Sequence, residues 1–389
     1  MFKNISVIDL STGIAGPYST KILSDLGVNV IKVEPPEGDI TRISKPFFNA
    51  ADNVNQSIKF AFLNTNKKSI TLDLFTPSGA SLAEDLIRAI KPHLIVENYG
   101  PGVLEKSGLN FEVIQSINGF TNLISISNFG STGPYRNYKA REINVQAISG
   151  LMSITGEPDA QPLIAGADIA QLNGGQIAAL SCLTYIYKSI LTSVGTHADI
   201  SLMEANMDLL ENWMLGQFQG ELMPRRGKQH QSGFPSEVYP CADGYVSVNA
   251  SPAPWSEMAE LMEDTNLDLE EYYDRSSRPK YRDQIEPLMT KWLDKNKKKE
   301  IFHGAQKRRL AFSYIANARD LLESDQLIDR NFFSNIGVNT HPGTPFKIAS
   351  TVTDNKEAPG LGEHNQEIYG NLLGIPQNDI RSLAEKRVI

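Results

Sequence analysis

Short apolar runs rich in β-branched residues alternate with segments of helical spacing through the first half of the chain. The run at 5–10 is followed by a turn, by helical spacing over 18–26 and by a second run at 28–33. This succession predicts a βαβ unit with parallel strands. Its continuation predicts an α/β fold with an open, mostly parallel sheet whose ligands lie at the carboxyl ends of the strands. The other predicted strands are 69–74, 92–98, 122–128 and 198–202, and the other predicted helices are 80–90, 111–117, 145–155, 170–194 and 204–218. Ahead of the helical spacing at 80–90, Thr76 is predicted as the N-cap and Pro77 as the first helical residue.

The pattern changes in the second half of the chain. A polar segment rich in Arg, Lys, Gln and Gly has the composition of a linker. An Asp-Gly turn between two short apolar runs then predicts a β-hairpin, and helical segments rich in Lys and Glu follow. The predicted divisions are a large domain at 1–219, a linker at 220–236, a smaller α+β domain at 237–330, and a linker and tail at 331–389, with a helix at 365–373, that return to the large domain.

The chain is mildly acidic and has few cysteines. Its 389 residues include 37 Lys and Arg against 45 Asp and Glu, a net charge of −8, so it lacks the basic excess of a nucleic-acid-binding protein. Cys182 and Cys241 are too few for a disulfide framework, which predicts a reducing compartment, the cytoplasm. The apolar tract at 177–194 contains Lys188 and several hydroxyl residues, and it predicts a buried helix and no membrane span.

Several signatures of nucleotide-binding and catalytic sites are absent from the sequence. The turn at 13–17 has Ala15 where the GxGxxG fingerprint needs glycine, which disfavours nicotinamide and flavin binding. Neither a P-loop nor the GxSxG elbow of hydrolases is present. The six histidines are scattered and form no HExxH motif, so no metal site is predicted. An enzyme with this sequence would therefore use carboxylates or the chemistry of a cofactor.

Asp168 is the most unusual acidic residue. It stands among small residues before the predicted helix at 170–194, with Gly174 and Gly175 one to two turns later. One interpretation is a helix N-cap, because Asp is favoured at that position and interacts well with the helix dipole. The other is a nucleophile that attacks an acyl carbon while nearby backbone N–H groups stabilise the oxyanion. Both interpretations use the same carboxylate, and the spacing leaves both open.

Short motifs follow one another in order along most of the chain. They are VIDL at 7–10, AGPY at 15–18, VIKVEPP at 30–36, VENYGPG at 96–102, GSTGP at 130–134, CADGY at 241–245 and LGEH at 361–364. This ordered series resembles the class III CoA-transferases, the CaiB/BaiF family. The resemblance implies a large Rossmann-like domain and a smaller domain. It also implies a homodimer in which each chain forms an open ring that is threaded through the ring of the other.

The resemblance further implies an activity and a set of site residues. The family moves coenzyme A from an acyl-CoA thioester to a free carboxylic acid, and Asp168 matches its catalytic aspartate, which forms acyl anhydrides and an aspartyl-CoA thioester. Acyl-CoA and a carboxylic acid are then the small-molecule partners, and no cofactor is bound permanently. The positions that match CoA-binding residues of the family are Ala15, Leu72, Asn98, Tyr99, Lys106 and Lys139.

Some positions depart from the family pattern. Pro35 and Phe75 stand where several members have a basic residue. The pair Arg141-Glu142 stands where racemases of the family have His-Asp, and arginine cannot act as a base near neutral pH. The spacing of Lys139 and Glu142 resembles that in formyl-CoA transferase, and Glu142 either orients groups near the acyl site or forms a surface salt bridge. CoA transfer is the main hypothesis; an acyl-CoA racemase and a non-catalytic CoA-binding protein are the alternatives.

Overall fold

The computed structural model of the chain describes residues 2–48, 55–220, 224–230, 232–250, 254–337, 339–347 and 355–389. Residues 221–223 and Gln231 of the predicted linker, and residues 338 and 348–354 of the predicted tail, lie outside the described residues. The chain divides into two compact units. The first comprises Met1–Leu151, Ile164–Gln219 and Asn331–Ile389, and the second comprises Met152–Leu163 and Gly220–Arg330.

A six-stranded sheet forms the centre of the first unit. Its strands are β1 (Ser6–Asp9), β2 (Asn29–Glu34), β3 (Lys68–Thr71), β4 (Leu94–Glu97), β5 (Asn122–Ser127) and β6 (His197–Ser201). They lie in the order β3-β2-β1-β4-β5-β6, and each neighbouring pair is parallel. The predicted parallel α/β sheet is confirmed. Its order reverses between β1 and β4, which creates the switch point where sheets of this type bind ligands.

Helices connect the strands of the first unit. They are α1 (Ala15–Asp25), α2 (Ile58–Leu63), α3 (Pro77–Ile90), α4 (Phe111–Ile117), α5 (Glu142–Ile148), α6 (Ile169–Thr192), α7 (Leu202–Met207) and α8 (Glu211–Phe218). The predicted start of α3 is confirmed, because Thr76 accepts a hydrogen bond from the backbone N–H of Gly79 at 3.1 Å and Pro77 is the first helical residue.

Some predicted bounds in this unit are wrong. The predicted helix at 145–155 ends at Ile148, and Gly150 follows it with a φ of 91°. The predicted helix at 204–218 is divided into α7 and α8 by a 3₁₀ turn at Asp208–Leu210. The third strand ends at Thr71 and not at 74, because the N–H of Asp73 leaves the ladder and donates to the carbonyl of Val388 at 2.7 Å.

The long helix α6 packs closely against α1 and α7. A Cβ atom on Gly175 would lie 2.7 Å from the carbonyl oxygen of Ala15, and one on Gly174 would lie 2.1 Å from a methyl carbon of Leu202. Glycine at both positions therefore permits the close contact. The contact places the first turns of α6 beside the start of α1. No helix in the described part of the chain, α6 included, is long and apolar enough to cross a membrane.

The second unit contains an antiparallel sheet and further helices. The strands β7 (Ser236–Cys241) and β8 (Gly244–Asn249) form the predicted hairpin, and β9 (Ser313–Tyr314) pairs with β8. Its core contains buried residues of β7, β8, α9, α10 and α11. The helices are α9 (Trp255–Met262), α10 (Arg282–Leu293), α11 (Lys298–Lys307), α12 (Ala318–Leu322) and α13 (Asp325–Asp329).

The division into units differs from the predicted domains at Met152–Leu163, a segment predicted in the large domain that lies in the second unit. The guanidinium group of Arg225 donates hydrogen bonds to carbonyl groups of this segment, including that of Ala160 at 2.8 Å. The N–H of Gly227 donates to the carbonyl of Gly156 at 3.0 Å. Residues of the predicted linker thus pack against this segment. Composition does not reveal such contacts between distant parts of a chain.

The last residues of the chain pack into the core of the first unit. The hydroxyl of the fully buried Tyr369 donates to the carbonyl of Thr71 at 2.7 Å. The predicted helix at 365–373 is a π-helix at Gln366–Leu372. An antiparallel hairpin and a last helix, which the sequence patterns did not predict, complete this region. These elements are β10 (Phe333–Ile336), β11 (Asn339–Pro342) and α14 (Gln377–Glu385).

Candidate active site

The loops after β1 and β4 meet at the switch point of the sheet. The side-chain Oδ1 of Asn98 accepts a hydrogen bond from the backbone N–H of Thr12 at 2.8 Å, and its Nδ2 donates to the carbonyl of Thr12 at 2.6 Å. A side-chain amide has both a donor and an acceptor, so it can pair with a backbone as another peptide group would. This pair fixes the two loops against each other and brings Ala15 and Asn98 to one site.

A cavity of about 250 Å³ opens at this site. Ala15, Asn98, Tyr99 and Lys139 line it. The structure therefore brings together four of the six positions that the resemblance assigned to CoA binding. Ala15 is the first residue of α1, Asn98 and Tyr99 follow β4, and Lys139 belongs to the segment between β5 and α5.

The other two predicted positions do not belong to the described lining of this cavity. Lys106 is exposed on a 3₁₀ turn at Leu104–Ser107, and Leu72 is 2% exposed within the core of the first unit. Arg136, which the sequence analysis missed, lines this cavity and a neighbouring one of about 420 Å³. The sequence could have indicated Arg136, because it lies three residues before Lys139 in the same polar segment.

Tyr99 and Phe75 are in contact beside the cavity. Their ring centroids lie 5.8 Å apart with the planes at 77°, an edge-to-face arrangement. Burial raises the pKa of the Tyr99 hydroxyl, so this group is neutral at physiological pH. Phe75 is 50% exposed. It thus presents an aromatic surface at a position where the resemblance would place a cation.

Asp168 directly precedes α6, and its side chain binds none of the described N–H groups of the first helical turn. The preceding residue, Ala167, has a φ of 62°. This left-handed conformation costs roughly 1–2 kcal/mol for a residue with a Cβ atom. The side chain of Asp168 is 35% exposed. The backbone is therefore strained next to a carboxylate that is partly exposed to solvent.

Glu142 supplies the helix cap that the sequence analysis considered for Asp168. Its Oε1 accepts a hydrogen bond from the N–H of Ala170 at 2.8 Å, and its Oε2 accepts one from Gln171 at 3.1 Å. The Nε2 of Gln146 donates to the same Oε1 at 2.7 Å. A carboxylate at this place pairs two N–H groups that a helix start leaves unbonded, and it lies at the positive end of the dipole. Asp168 is the N-cap residue by position, but its side chain does not serve as the cap. Glu142 forms no salt bridge with a described residue.

Lys59, which the sequence analysis missed, contacts Asp168. Its Nζ donates a hydrogen bond to Oδ2 of Asp168 at 2.8 Å, and both side chains are 35% exposed. Lys59 lies on α2, which is anchored by Phe60 and Leu63, exposed by only 3% and 1%. The helix has six residues, too few for a helical repeat of apolar positions to be recognised.

Charged side chains are buried beneath the loop after β1. The fully buried Asp9 accepts hydrogen bonds from Nζ of Lys67 at 3.1 Å, from Oγ1 of Thr20 at 2.6 Å and from the N–H of Ser11 at 3.0 Å. Burial by itself would raise the pKa of Asp9, but Lys67, Lys32 and the hydroxyl donors outweigh it and lower the pKa to about 2. Lys32 also donates to the carbonyl of Ser11 at 2.9 Å. Ionic contacts therefore fix this loop.

The described residues contain no group of three or more His, Cys, Asp and Glu side chains that could hold a metal ion. Both cysteines are free thiols. Cys182 is buried in the core of the first unit, and burial raises the pKa of its thiol. A thiol of this kind is protonated and inert at neutral pH.

Comparisons with known proteins identify relatives along the whole chain. The sequence profile described as CoA-transferase family III matches residues 2–365. The chain is 30% identical to a formyl-CoA:oxalate CoA-transferase from Streptomyces coelicolor, over 100% of this chain and 98% of the relative. It is also 30% identical to a succinyl-CoA–D-citramalate CoA-transferase from Chloroflexus aurantiacus, over 99% and 97% of the two chains. The crystal structure of a CaiB/BaiF family protein from Brucella suis superposes with a TM-score of 0.87 at 26% identity, over 95% and 98% of the two chains.

Proposed function

The chain belongs to CoA-transferase family III, and from that membership we propose that it transfers coenzyme A from an acyl-CoA thioester to a free carboxylic acid. The two relatives named above are CoA-transferases by name, at 30% identity over nearly their full lengths. The proposal includes the chemical route, in which CoA passes through a covalent thioester on Asp168. CoA enters and leaves as part of the substrates, and no permanently bound cofactor takes part.

The state of the Asp168 carboxylate carries this proposal. Glu142 pairs the N–H groups of Ala170 and Gln171, so the start of α6 does not engage the oxygens of Asp168. The Asp168 side chain is 35% exposed, and its Oδ2 contacts Lys59. The positive end of the helix dipole lies beside the Asp168 carboxylate and favours the negative charge that develops on the attacked carbonyl. We assign Glu142 the part of a positioning residue, which holds the start of α6 without using Asp168.

The proposed reaction proceeds through two anhydrides and one thioester. A carboxylate oxygen of Asp168 attacks the thioester carbon, the C–S bond breaks, and CoA thiolate leaves an acyl–aspartyl anhydride. The thiolate then attacks the carbonyl carbon of Asp168, which releases the donor acid as its carboxylate and forms aspartyl-CoA. The acceptor carboxylate repeats the two steps in reverse: it displaces the thiolate, which then attacks the acceptor acyl carbon. The new acyl-CoA leaves, and the Asp168 carboxylate is regenerated.

The cavity at the switch point is the site that we propose for CoA. Ala15, Asn98 and Tyr99 form one wall, and Lys139 and Arg136 supply positive charge to a chain of net charge −8. Cations of this kind bind phosphate groups as point charges or, for arginine, through paired hydrogen bonds. Lys106 and Leu72 stay predictions from the resemblance.

Removal of Lys139 or of Lys106 tests the phosphate contacts. Each change to Ala is expected to raise KM for acyl-CoA by roughly 3- to 10-fold with kcat nearly unchanged, because a cation that grips the phosphates acts equally in the ground state and in the transition state. The effect should shrink at high salt. Lys3→Ala removes an exposed lysine that precedes β1 and serves as the control. An unchanged KM in both variants would place the phosphates elsewhere.

A transfer assay tests the function itself. A panel of acyl-CoA donors is incubated with ¹³C-labelled carboxylic acids in D₂O, and the products are identified by mass spectrometry. We expect labelled acyl-CoA and the free donor acid in equal amounts, without deuterium at the α-carbon. Rapid α-deuteration of a 2-methylacyl-CoA in the absence of an acceptor acid would favour the racemase, because that reaction removes the α-proton. Binding of CoA without either reaction would favour the non-catalytic protein.

A second copy of the chain is the macromolecular partner that we propose, as an interlocked homodimer. In the single chain, α6 exposes Leu180, Tyr187 and Leu191 by 63–66%, and α8 exposes Phe218 by 82%. Large apolar side chains exposed to this degree are typical of protein interfaces. The reducing cytoplasm stays the predicted location.

A further inference from the structure

We infer that Lys59 selects dicarboxylic substrates, because its ammonium group passes from Asp168 to the second carboxylate of the acyl group once Asp168 is acylated. This inference rests on the proposed function, since it requires acyl transfer to Asp168. It starts from one contact, the 2.8 Å ion pair between Nζ of Lys59 and Oδ2 of Asp168. Neither the resemblance to the family nor the spacing of residues in the sequence indicated Lys59.

The loss of the Asp168 charge on acylation explains why Lys59 would favour a dicarboxylic acyl group. In the free protein the Asp168 carboxylate neutralises the ammonium of Lys59. When an Asp168 oxygen forms the anhydride, or when its carbonyl carbon forms the thioester, the side chain loses its negative charge. Lys59 is then a cation without a counterion, close to the bound acyl group. A second carboxylate on that group restores a neutral ion pair, whereas a monocarboxylic acyl group leaves the ammonium to solvent.

Lys59 also matters before the reaction begins. A dicarboxylic acyl-CoA brings a negative charge towards the negative Asp168. The interposed ammonium offsets this repulsion, and it can bind both carboxylates because it carries three N–H donors. The same cation thus serves the approach and the covalent intermediate.

The position of Lys59 is fixed by the fold. Ser57 caps α2 with a hydrogen bond from the N–H of Phe60, and Phe60 packs beneath the guanidinium of Arg42 at 3.6 Å from the ring centre. At the other end of α2, Asn64 accepts a hydrogen bond from Nζ of the buried Lys67 at 2.9 Å. The backbone of α2 is therefore held at both ends, and the flexible Lys59 side chain needs only a small movement to change partner.

The solvent exposure of Lys59 and Asp168 limits how strongly Lys59 can favour dicarboxylic substrates. Both side chains are 35% exposed, so water weakens each ion pair relative to a buried one. For a partly exposed charged hydrogen bond we expect about a tenfold effect on specificity.

The experiment compares substrates of equal carbon number. The kcat and KM values of the full chain are measured with succinyl-CoA against butyryl-CoA, and with glutaryl-CoA against pentanoyl-CoA, with acetate as the acceptor. We expect wild type to prefer the dicarboxylic member of each pair. Lys59→Met should lower that preference about tenfold, mainly through KM for the dicarboxylic substrate, because charge is lost and length is kept. Lys59→Arg should retain the preference.

Lys68→Met is the matched control. Lys68 forms a similarly exposed ion pair, with Glu367 at 2.6 Å, and its removal should leave the preference unchanged. The inference is overturned if wild type shows no preference, if Lys59→Met leaves the preference intact, or if Lys59→Met slows both members of a pair equally. If Lys59→Met does not fold, Lys59→Gln, which also removes the charge, takes its place in the same comparison and should lose the preference to the same extent. If wild type transfers CoA between none of these substrates and any acid, the proposed function has failed instead. If Asp168→Asn still transfers CoA, the proposed route through Asp168 has failed.

Discussion

Replacement of Asp168 by Asn is expected to abolish CoA transfer, with kcat/KM lowered by at least about a thousandfold. The amide keeps the shape of the side chain but is not a nucleophile, so no anhydride or aspartyl thioester can form. The fold and CoA binding should persist. Glu142, not Asp168, pairs the first N–H groups of α6, and the Asp168 side chain is partly exposed. Transfer rate, CoA affinity by calorimetry and thermal unfolding measure these three properties.

Asp379→Asn provides the control for this change. Asp379 is an exposed aspartate in the first turn of α14, so its replacement should leave transfer unaffected. In wild type, digestion after incubation with acyl-CoA should yield the peptide that contains Asp168 with an added acyl or CoA mass. Transfer at the wild-type rate by Asp168→Asn, or the same added mass on a different peptide, would refute the assignment of Asp168 as the nucleophile.

Patterns within short segments predicted much of the fold correctly. The strand at Ser6–Asp9 and the helix at Pro77–Ile90 have local signals, a run of β-branched residues in one and a cap with proline in the other. Alternation of such elements was sufficient to predict the parallel sheet. The switch point followed from the sheet order, and Ala15 and Asn98 do line one cavity there.

Contacts between distant segments were not predictable in the same way. Lys59 and Asp168 are 109 positions apart, and neither segment alone indicates the other. The capping of α6 by Glu142 also joins separate helices, so sequence spacing suggested the wrong side chain as the cap. Asp9 and Lys32 did indicate buried ion pairs, since a charged residue inside an apolar strand requires a partner. The partner of Asp9, however, is Lys67, which precedes a different strand.

Asp9→Asn is expected to lower the free energy of unfolding by about 3–5 kcal/mol, the usual effect of breaking a buried ion pair. The side chains of Asp9 and Lys67 are both 0% exposed, so the variant leaves the charge of Lys67 buried without its carboxylate. The double variant Asp9→Leu with Lys67→Met removes both charges. Its loss in the free energy of unfolding should be smaller than the sum of the losses in the single variants Asp9→Leu and Lys67→Met. Urea unfolding followed by circular dichroism measures these differences. A loss in the double variant that equals or exceeds this sum would contradict the ionic explanation.

The pH dependence of the free energy of unfolding gives a second measure of how far the charge of Asp9 stabilises the fold. The pKa of Asp9 is about 2 in the folded protein, against an ordinary value of 3.8. The unfolded chain therefore binds a proton at a higher pH than the folded chain does, and acid favours unfolding. The stabilisation from Asp9 is complete above about pH 4 and is lost as the pH falls towards 2. At roughly 1.4 kcal/mol for each pH unit, it amounts to about 2–3 kcal/mol. In Asp9→Asn the free energy of unfolding should fall less steeply between pH 4 and pH 2. Equal slopes in the variant and in wild type would show that the pKa of Asp9 is not lowered in the folded protein.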